Sequence, residues 1–134
     1  MTTHGYEEID HTADLAMRVS GEDLYSLLVH AAEGLYSFMR IDIKRGQKHT
    51  IKLVVRCETQ ESMLVDFLNE LLYYVEENII FTNFSFEKKQ ELLTVRASGH
   101  SIEKVEYPIK AATFHDLKIK GIKTGLEATV TFDV

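Results

Sequence analysis

The last stretch of the chain, Leu126-Glu127-Ala128-Thr129-Val130-Thr131-Phe132-Asp133-Val134, decides the fold. Apolar and polar residues alternate along it, which is the pattern of a β-strand with one buried and one exposed face. The apolar residues of 126–134 fall on the buried face, and Asp133 falls on the exposed one. Because terminal segments often pair in small sheets, we expect this strand to pair with one near the start of the chain.

The predicted partner is the alternating segment Leu15–Ser20, which follows Asp10-His11-Thr12-Ala13-Asp14. This pairing would bring Asp14, Asp133 and the terminal carboxylate of Val134 to one place. Three hard oxygen donors either repel one another or bind a cation, and they suit Ca²⁺ or Mg²⁺ better than Zn²⁺. A turn aspartate and an unrelated surface aspartate would explain the same spacing, so both interpretations stay open.

Two segments have the apolar spacing of amphipathic helices. The first is predicted to begin at an N-cap, Ser20, with Asp23 three residues later, as in a capping box. Its apolar residues are Leu24, Leu27, Leu28, Ala31, Leu35 and Phe38. The second is predicted from about Ser62, and its apolar residues are Leu64, Phe67, Leu68, Leu71, Leu72 and Val75.

The remaining segments read as strands. Alternation predicts them near residues 51–57, 84–87, 93–97, 109–111 and 117–120, with one more before Asp10. Gly99 is expected to close one strand, and Gly121 and Gly125 to bracket a turn. Two amphipathic helices can cover one face of such a sheet. We therefore predict an α+β fold, a two-layer sandwich with a mainly antiparallel or mixed sheet and two helices on one face.

Length, charge and cysteine content narrow the function. A chain of 134 residues with 45% hydrophobic residues fits one domain, residues 1–134. The net charge of −6 argues against tight direct binding of nucleic acid. Cys57 is alone, which excludes a disulfide framework, and it falls on an apolar strand face as a buried, inert thiol. With neither a signal peptide nor an apolar run of membrane-spanning length, we expect a cytoplasmic protein.

Four further residues could take part in chemistry. Lys110, in Ile109-Lys110-Ala111-Ala112-Thr113-Phe114-His115, could place an ammonium beside the carboxylates, to balance their charge or hold a phosphate. His11 and His115 lie nearest to the candidate site in sequence context, and Asp66 lies among the core leucines of the second helix. All four also suit ordinary structural or surface roles.

Taken together, these stretches resemble the archease family. The resemblance rests on Asp10-His11-Thr12-Ala13-Asp14, the segments 64–73 and 109–115, and the terminal Phe132-Asp133-Val134, so it covers essentially the whole chain. It implies a small cytoplasmic protein that activates an RtcB-type RNA ligase in tRNA splicing or RNA repair. That ligase joins a 2′,3′-cyclic phosphate or 3′-phosphate end to a 5′-hydroxyl through a guanylylated histidine, using GTP and manganese.

The resemblance also assigns roles to residues. It implies a divalent cation, most often calcium, on Asp14, Asp133 and Val134, with Mg²⁺ or Mn²⁺ as other occupants. Lys110 is the residue implicated in activation, and His11, His115 and Asp66 could support the ligands. GTP belongs to the partner ligase, and the chain itself is not expected to be an enzyme. The sequence departs from the family's common residues at Phe67, Phe114 and Pro108.

Two other functions remain open from the residues alone. A free-standing metal-dependent phosphoesterase would need His11 or His115 to activate its nucleophile. A chaperone-like or plain binding module would make the carboxylates incidental.

Overall fold

Eight strands and two helices follow one another in the computed structural model, which describes residues 5–9 and 15–134. In chain order they are β1 (Tyr6–Ile9), β2 (Leu15–Gly21), α1 (Leu24–Met39), β3 (Ile41–Arg56), α2 (Gln60–Glu76), β4 (Ile79–Lys89), β5 (Leu92–Val105), β6 (Ala111–Thr113), β7 (Lys120–Ile122) and β8 (Gly125–Asp133). The strand predicted before Asp10 is confirmed as β1. Neither α1 nor α2 combines the length and apolar character that a membrane crossing requires.

The first sheet is built around the pairing of the two terminal segments. Its strand order is β1-β2-β8-β6, with β7 also paired to β8, and every pair is antiparallel. In the pairing of β2 with β8, Leu15 lies opposite Phe132 and Gly21 lies opposite Leu126. The predicted pairing of the segment Leu15–Ser20 with the last strand is therefore confirmed.

The second sheet has the antiparallel order β3-β5-β4. The prediction that Gly99 closes its strand is wrong, because β5 continues to Val105. Gly99 instead marks the place where β4 comes closest, beside a register shift between Phe81 and Asn83. A Cβ at this position would collide with the Ile80 carbonyl oxygen and the Phe81 Cα. The glycine therefore permits a close strand approach and does not end the strand.

The helix starts follow the capping residues. Ser20 is not the N-cap of α1, because Ser20 and Gly21 stay in the ladder with β8. Asp23 caps α1 instead, and its Oδ1 accepts a hydrogen bond from the Ser26 amide at 2.8 Å. The second helix begins two residues before the predicted Ser62, and Thr59 and Ser62 form its capping box.

Both helices contact strands of both sheets, and a single apolar core joins the layers. The Phe67 ring of α2 packs edge-on against Phe84 and Phe86 of β4. On α1, the Tyr36 hydroxyl accepts a hydrogen bond from the Phe81 amide at 3.3 Å. The predicted α+β class with two amphipathic helices is confirmed, and the strands form two antiparallel sheets. Cys57 is buried, as predicted.

The segment before β8 differs from the predicted strands. The strand expected at 109–111 is β6, which begins at Ala111, and the one expected at 117–120 is β7, which begins at Lys120. Residues 117–119 are not a strand, because the Ile119 amide donates to Glu61 Oε2 on the first turn of α2 at 2.9 Å. Gly121 lies within β7, so it does not bracket the turn that leads to Gly125.

One side chain of α2 completes the hydrogen bonding of β6. The Asn69 Nδ2 donates to the Ala112 carbonyl at 3.2 Å, and the Ala112 amide donates to Asn69 Oδ1 at 2.8 Å. The side-chain amide of Asn69 thus takes the place of a neighbouring strand along the edge of β6 that does not pair with β8. Because Ala112 is buried, both backbone groups would otherwise lack a partner away from water.

Replacing Asn69 with alanine should therefore loosen β6. We expect Asn69→Ala to lower the free energy of unfolding by about 1–3 kcal/mol, since a buried donor and acceptor lose their partner. Hydrogen exchange at the Ala112 amide should accelerate in parallel. Urea unfolding and amide exchange measure the two effects. The exposed Asn83→Ala should change stability by less than about 0.5 kcal/mol, and equal effects of the two variants would refute this role of Asn69.

Candidate cation site

The pairing of β2 with β8 leads directly to the predicted ligands. Leu15 lies opposite Phe132, and Asp133 is the last residue of β8. Asp14 precedes Leu15 in the sequence, but Asp14 and His11 lie outside the described residues. The structure therefore positions one of the two predicted aspartates, and the meeting of the pair stays a prediction.

Lys110 and Asp133 are held side by side by a backbone hydrogen bond. The Lys110 amide donates to the Asp133 carbonyl at 2.8 Å, immediately before Ala111 pairs with Asp133. Both side chains are exposed, and so is Val134. The backbones of Lys110 and Asp133 are thus adjacent, whereas the placement of the ammonium beside the carboxylates stays a prediction.

Neither of these two charged groups is used by the described part of the fold. Over residues 5–9 and 15–134, the Asp133 carboxylate and the Lys110 ammonium make no hydrogen bond or ion pair. A carboxylate and an ammonium that bond no other described residue can act on a ligand or a partner. The main chemical property of the site is therefore that the Asp133 carboxylate and the Lys110 ammonium can interact with a ligand or a partner.

The residues that follow β6 are ordered by a threonine. The Thr113 hydroxyl donates to the Thr131 carbonyl at 3.1 Å and accepts a hydrogen bond from the His115 amide at 3.3 Å. His115 Nε2 lies 3.2 Å from Asp116 Oδ2, and both side chains are exposed. His115 is therefore near the candidate site along the chain, and its supporting role stays a prediction.

The donor chemistry of Asp133 and Val134 fits a hard cation. A carboxylate and a neighbouring main-chain or terminal oxygen are the ligand types that Ca²⁺ and Mg²⁺ prefer. Within 5–9 and 15–134, however, no three His, Cys, Asp or Glu side chains cluster as a metal site would require. A site of the predicted kind depends on Asp14, so cation binding remains a proposal.

Sequence reasoning did not single out Asn69. It lies on α2 between Leu68 and Leu71, and a polar side chain beside two buried leucines was the available signal. Through its two hydrogen bonds to Ala112, it positions β6 and with it the backbone of Lys110. Asn69 thus positions the candidate site without carrying its chemistry.

Asp66 lies one helical turn before Asn69 and faces different charges. It borders a depression of about 280 Å³ with Arg56 and Glu70. Partial burial, followed by repulsion from Glu58, raises the pKa of the Asp66 carboxyl, and Arg56 partly offsets both. The charges that act on the Asp66 carboxyl are thus those of Glu58 and Arg56, and its predicted support of the cation ligands stays a prediction.

The raised pKa of Asp66 predicts a dependence of stability on pH. Between the ordinary Asp pKa of about 3.9 and the raised folded value, the folded state binds more protons than the unfolded state. This carboxyl therefore lowers stability as pH rises through that window. Asp66→Asn should raise the urea midpoint at pH 7, with a difference that narrows toward pH 4. An unchanged or lower midpoint at pH 7 would contradict this expectation.

Comparison with known proteins gives one consistent result. The model of the archease protein family matches residues 6–134. The archease of Methanosarcina barkeri is 31% identical over a 140-residue alignment that covers 96% of this chain and 95% of that protein. The archease of Pyrococcus furiosus is 30% identical over 129 residues, covering 90% of this chain and 91% of that one.

Two solved structures share the fold. The crystal structure of an archease from Thermotoga maritima, described as a possible chaperone, has a TM-score of 0.72 and 25% identity, with 96% of each chain covered. The solution structure of protein 1598 from Methanobacterium thermoautotrophicum has a TM-score of 0.74 and 25% identity, with 98% of this chain and all of that one covered. The resemblance seen in the sequence is thereby confirmed, and the chain belongs to the archease family.

Proposed function

We propose that this protein activates an RtcB-type RNA ligase, promoting guanylylation of the ligase histidine and repeated turnover. The family match over residues 6–134 carries this proposal, because activation of such a ligase is the role that the archease resemblance implies. On this proposal the chain is an accessory protein, and the bond-making chemistry and the GTP belong to the ligase. The geometry supports particular residues for the task.

Lys110 is the residue proposed to act on the nucleotide. In guanylylation the ligase histidine attacks the α-phosphorus of GTP, and pyrophosphate leaves with its negative charge. An ammonium placed near the phosphates stabilises that charge, and such positioning supplies much of the catalysis in phosphoryl transfer. The Lys110 side chain is exposed, and its backbone is anchored to Asp133, so the charge is presented from an ordered place.

Asp133, Val134 and Asp14 are proposed to hold the divalent cation, with Ca²⁺ the first candidate. When bound, the cation would supply positive charge that orients phosphate oxygens or ligase ligands. The Asp133 carbonyl accepts a hydrogen bond from the Lys110 amide, and its exposed carboxylate, which bonds no residue in 5–9 or 15–134, is the group proposed for the cation. The lysine and the acidic group would then reach the partner together.

The overall charge of the chain suits the proposed partner. An excess of acidic residues, 21 against 15 basic ones, favours encounter with a basic, RNA-binding enzyme. Electrostatic steering of this kind raises the association rate, and salt weakens it.

Removal of the Lys110 charge should abolish activation without unfolding the protein. We expect Lys110→Gln to lower stimulation of the cognate ligase by roughly 100- to 1,000-fold, the scale seen when one charge-stabilising donor is lost. The backbone bond to Asp133 does not depend on the side chain, so the free energy of unfolding should be unchanged. An RNA-ligation time course with excess substrate measures the effect.

The matched control for this experiment is Lys118→Gln, which removes an exposed lysine from the loop before β7. It should stimulate as the unchanged protein does. Full stimulation by Lys110→Gln at low protein concentration would refute the assigned role. Turnover of a phosphodiester by the purified chain without ligase would favour the phosphoesterase instead.

The cation proposal has a test that needs no ligase. Calorimetric titration with Ca²⁺, Mg²⁺ and Mn²⁺ should give saturable binding to the unchanged protein. Asp133→Asn and Asp14→Ala should each abolish it, because few protein ligands hold the ion. Asp116→Asn, at an exposed aspartate after β6, should bind normally. Binding that survives Asp133→Asn would place the cation elsewhere.

A further inference from the structure

Three cationic side chains lie together on the outward face of the second sheet, although the whole chain carries a charge of −6. Lys48 and Lys52 project from β3 and Arg96 projects from β5, all of them exposed. Leu53 and Val55 of β3 and Val95 of β5 point the opposite way, into the core. Strand alternation therefore assigns the three cations to one solvent-facing surface.

This arrangement is electrostatically unfavourable for the isolated fold. Lys52 and Arg96 are direct cross-strand partners, and like charges in that position destabilise a sheet. Across the described part of the chain, no carboxylate lies within ion-pair distance of Lys48, Lys52 or Arg96. A charge pattern with a cost and no internal partner points to an anionic ligand outside the chain.

Neutral hydrogen-bonding side chains surround the cations. Ser98 of β5 lies between its cross-strand partners Thr50 of β3 and Asn83 of β4. Arg96 of β5 lies opposite Ser85 of β4. These residues border a shallow depression of about 250 Å³ that crosses the three strands. We call this surface the basic face, and its members are Lys48, Thr50, Lys52, Asn83, Arg96 and Ser98.

The positive surface continues beyond the depression. The register of β3 shifts between Lys44 and Lys48, and this irregularity contains Arg45 and Gly46. Gly46 has a φ of 139°, which a side chain would rarely permit, so the glycine lets the strand bulge there. Lys44 and Arg45 are both exposed, so further positive charge lies in the same part of β3. A carboxylate, that of Glu87, belongs to the same sheet face and lies opposite Thr94 in the next cross-strand row.

We propose that the basic face binds the phosphodiester backbone of single-stranded RNA, weakly and without sequence preference. Lysine, arginine, hydroxyl and amide groups are the side chains that contact phosphate oxygens. The Phe84 ring also lines the depression, but it is half-buried and packs against Phe67 and Phe81, so it does not offer an exposed stacking platform for bases. The choice of RNA over DNA rests on the proposed function, whereas the recognition of phosphate does not.

An acidic protein surface fits the basic face less well. Protein interfaces are depleted in lysine and serine at their cores and enriched in aromatic residues. The depression crosses the strands, so an extended peptide there could not add to the sheet by backbone pairing. Weak binding to the phosphate backbone of RNA also agrees with the net charge of −6, because that charge argues only against tight association with nucleic acid.

Fluorescence anisotropy with a labelled 12-nucleotide RNA of mixed sequence tests the proposal on the full chain, without ligase. We expect a dissociation constant of about 10⁻⁶ to 10⁻⁴ M that weakens steeply with salt. The double variant Lys52→Gln/Arg96→Gln should bind at least roughly tenfold more weakly, and its salt slope should be smaller by about 1.4, which is 0.7 per lost contact. Its free energy of unfolding should stay equal or rise, because a like-charge pair is removed.

The matched control is Lys118→Gln/Lys123→Gln, which removes the same charge from exposed positions on either side of β7. It should bind the RNA nearly as the unchanged chain does. Equal losses in the two double variants would overturn the proposal in favour of a general charge effect. A labelled polyglutamate of equal charge that binds as tightly as the RNA would overturn it in favour of an acidic protein partner. Failure of Lys110→Gln to affect ligation would leave this result untouched.

Discussion

The antiparallel pairing of β2 with β8 is the interaction on which the rest of this molecule depends. It joins the first and last parts of the chain over seven residue pairs and forms the centre of the first sheet. Met17 and Val19 on one strand and Val130 and Phe132 on the other are completely buried, so the pairing is held by core packing as well as hydrogen bonds. Because register and side-chain direction are linked in a strand, that burial also fixes where Asp133 emerges.

The candidate site adds a second constraint, which comes from a helix. β6 is only three residues long and pairs with β8 along one edge. A strand this short gains little from its own ladder, so the Asn69 amide on its other edge matters more than a single side chain usually does. The core that holds α2 against both sheets thus also orders the backbone of Lys110. Stability and presentation of the charged groups are coupled through one asparagine.

Local sequence patterns predicted which segments form strands and helices better than they predicted the residues at which these elements begin and end. Alternation identified the two strands of the terminal pairing and the buried side of β3, and helical spacing identified both helices, because burial of one face leaves a periodic pattern in the sequence. The length of β5 and the role of Gly99 depend on how closely β4 approaches. That distance is set by the tertiary structure, so the local sequence does not predict it. Ser20 and Asp23 are both good N-caps, and only the extent of the ladder with β8 decides between them. Likewise, the role proposed for Lys110 in activation comes from the family resemblance, whereas no local pattern indicates that Asn69 bonds Ala112.

Charge has different consequences at different distances in this chain. At long range the net charge of −6 governs encounter, since a partner far from the surface responds to the sum of all charges. At physiological salt the Debye length is only about 8 Å, so a ligand in contact responds to its immediate neighbours. Neighbouring strands lie about 4.8 Å apart, and four residues along a strand span about 13 Å. Lys52 and Arg96 therefore act together, whereas Lys48 lies farther away than one Debye length and serves as a separate phosphate contact on the same surface, which the net charge does not cancel. An acidic protein can thus approach a basic enzyme and still offer one face to a phosphate backbone.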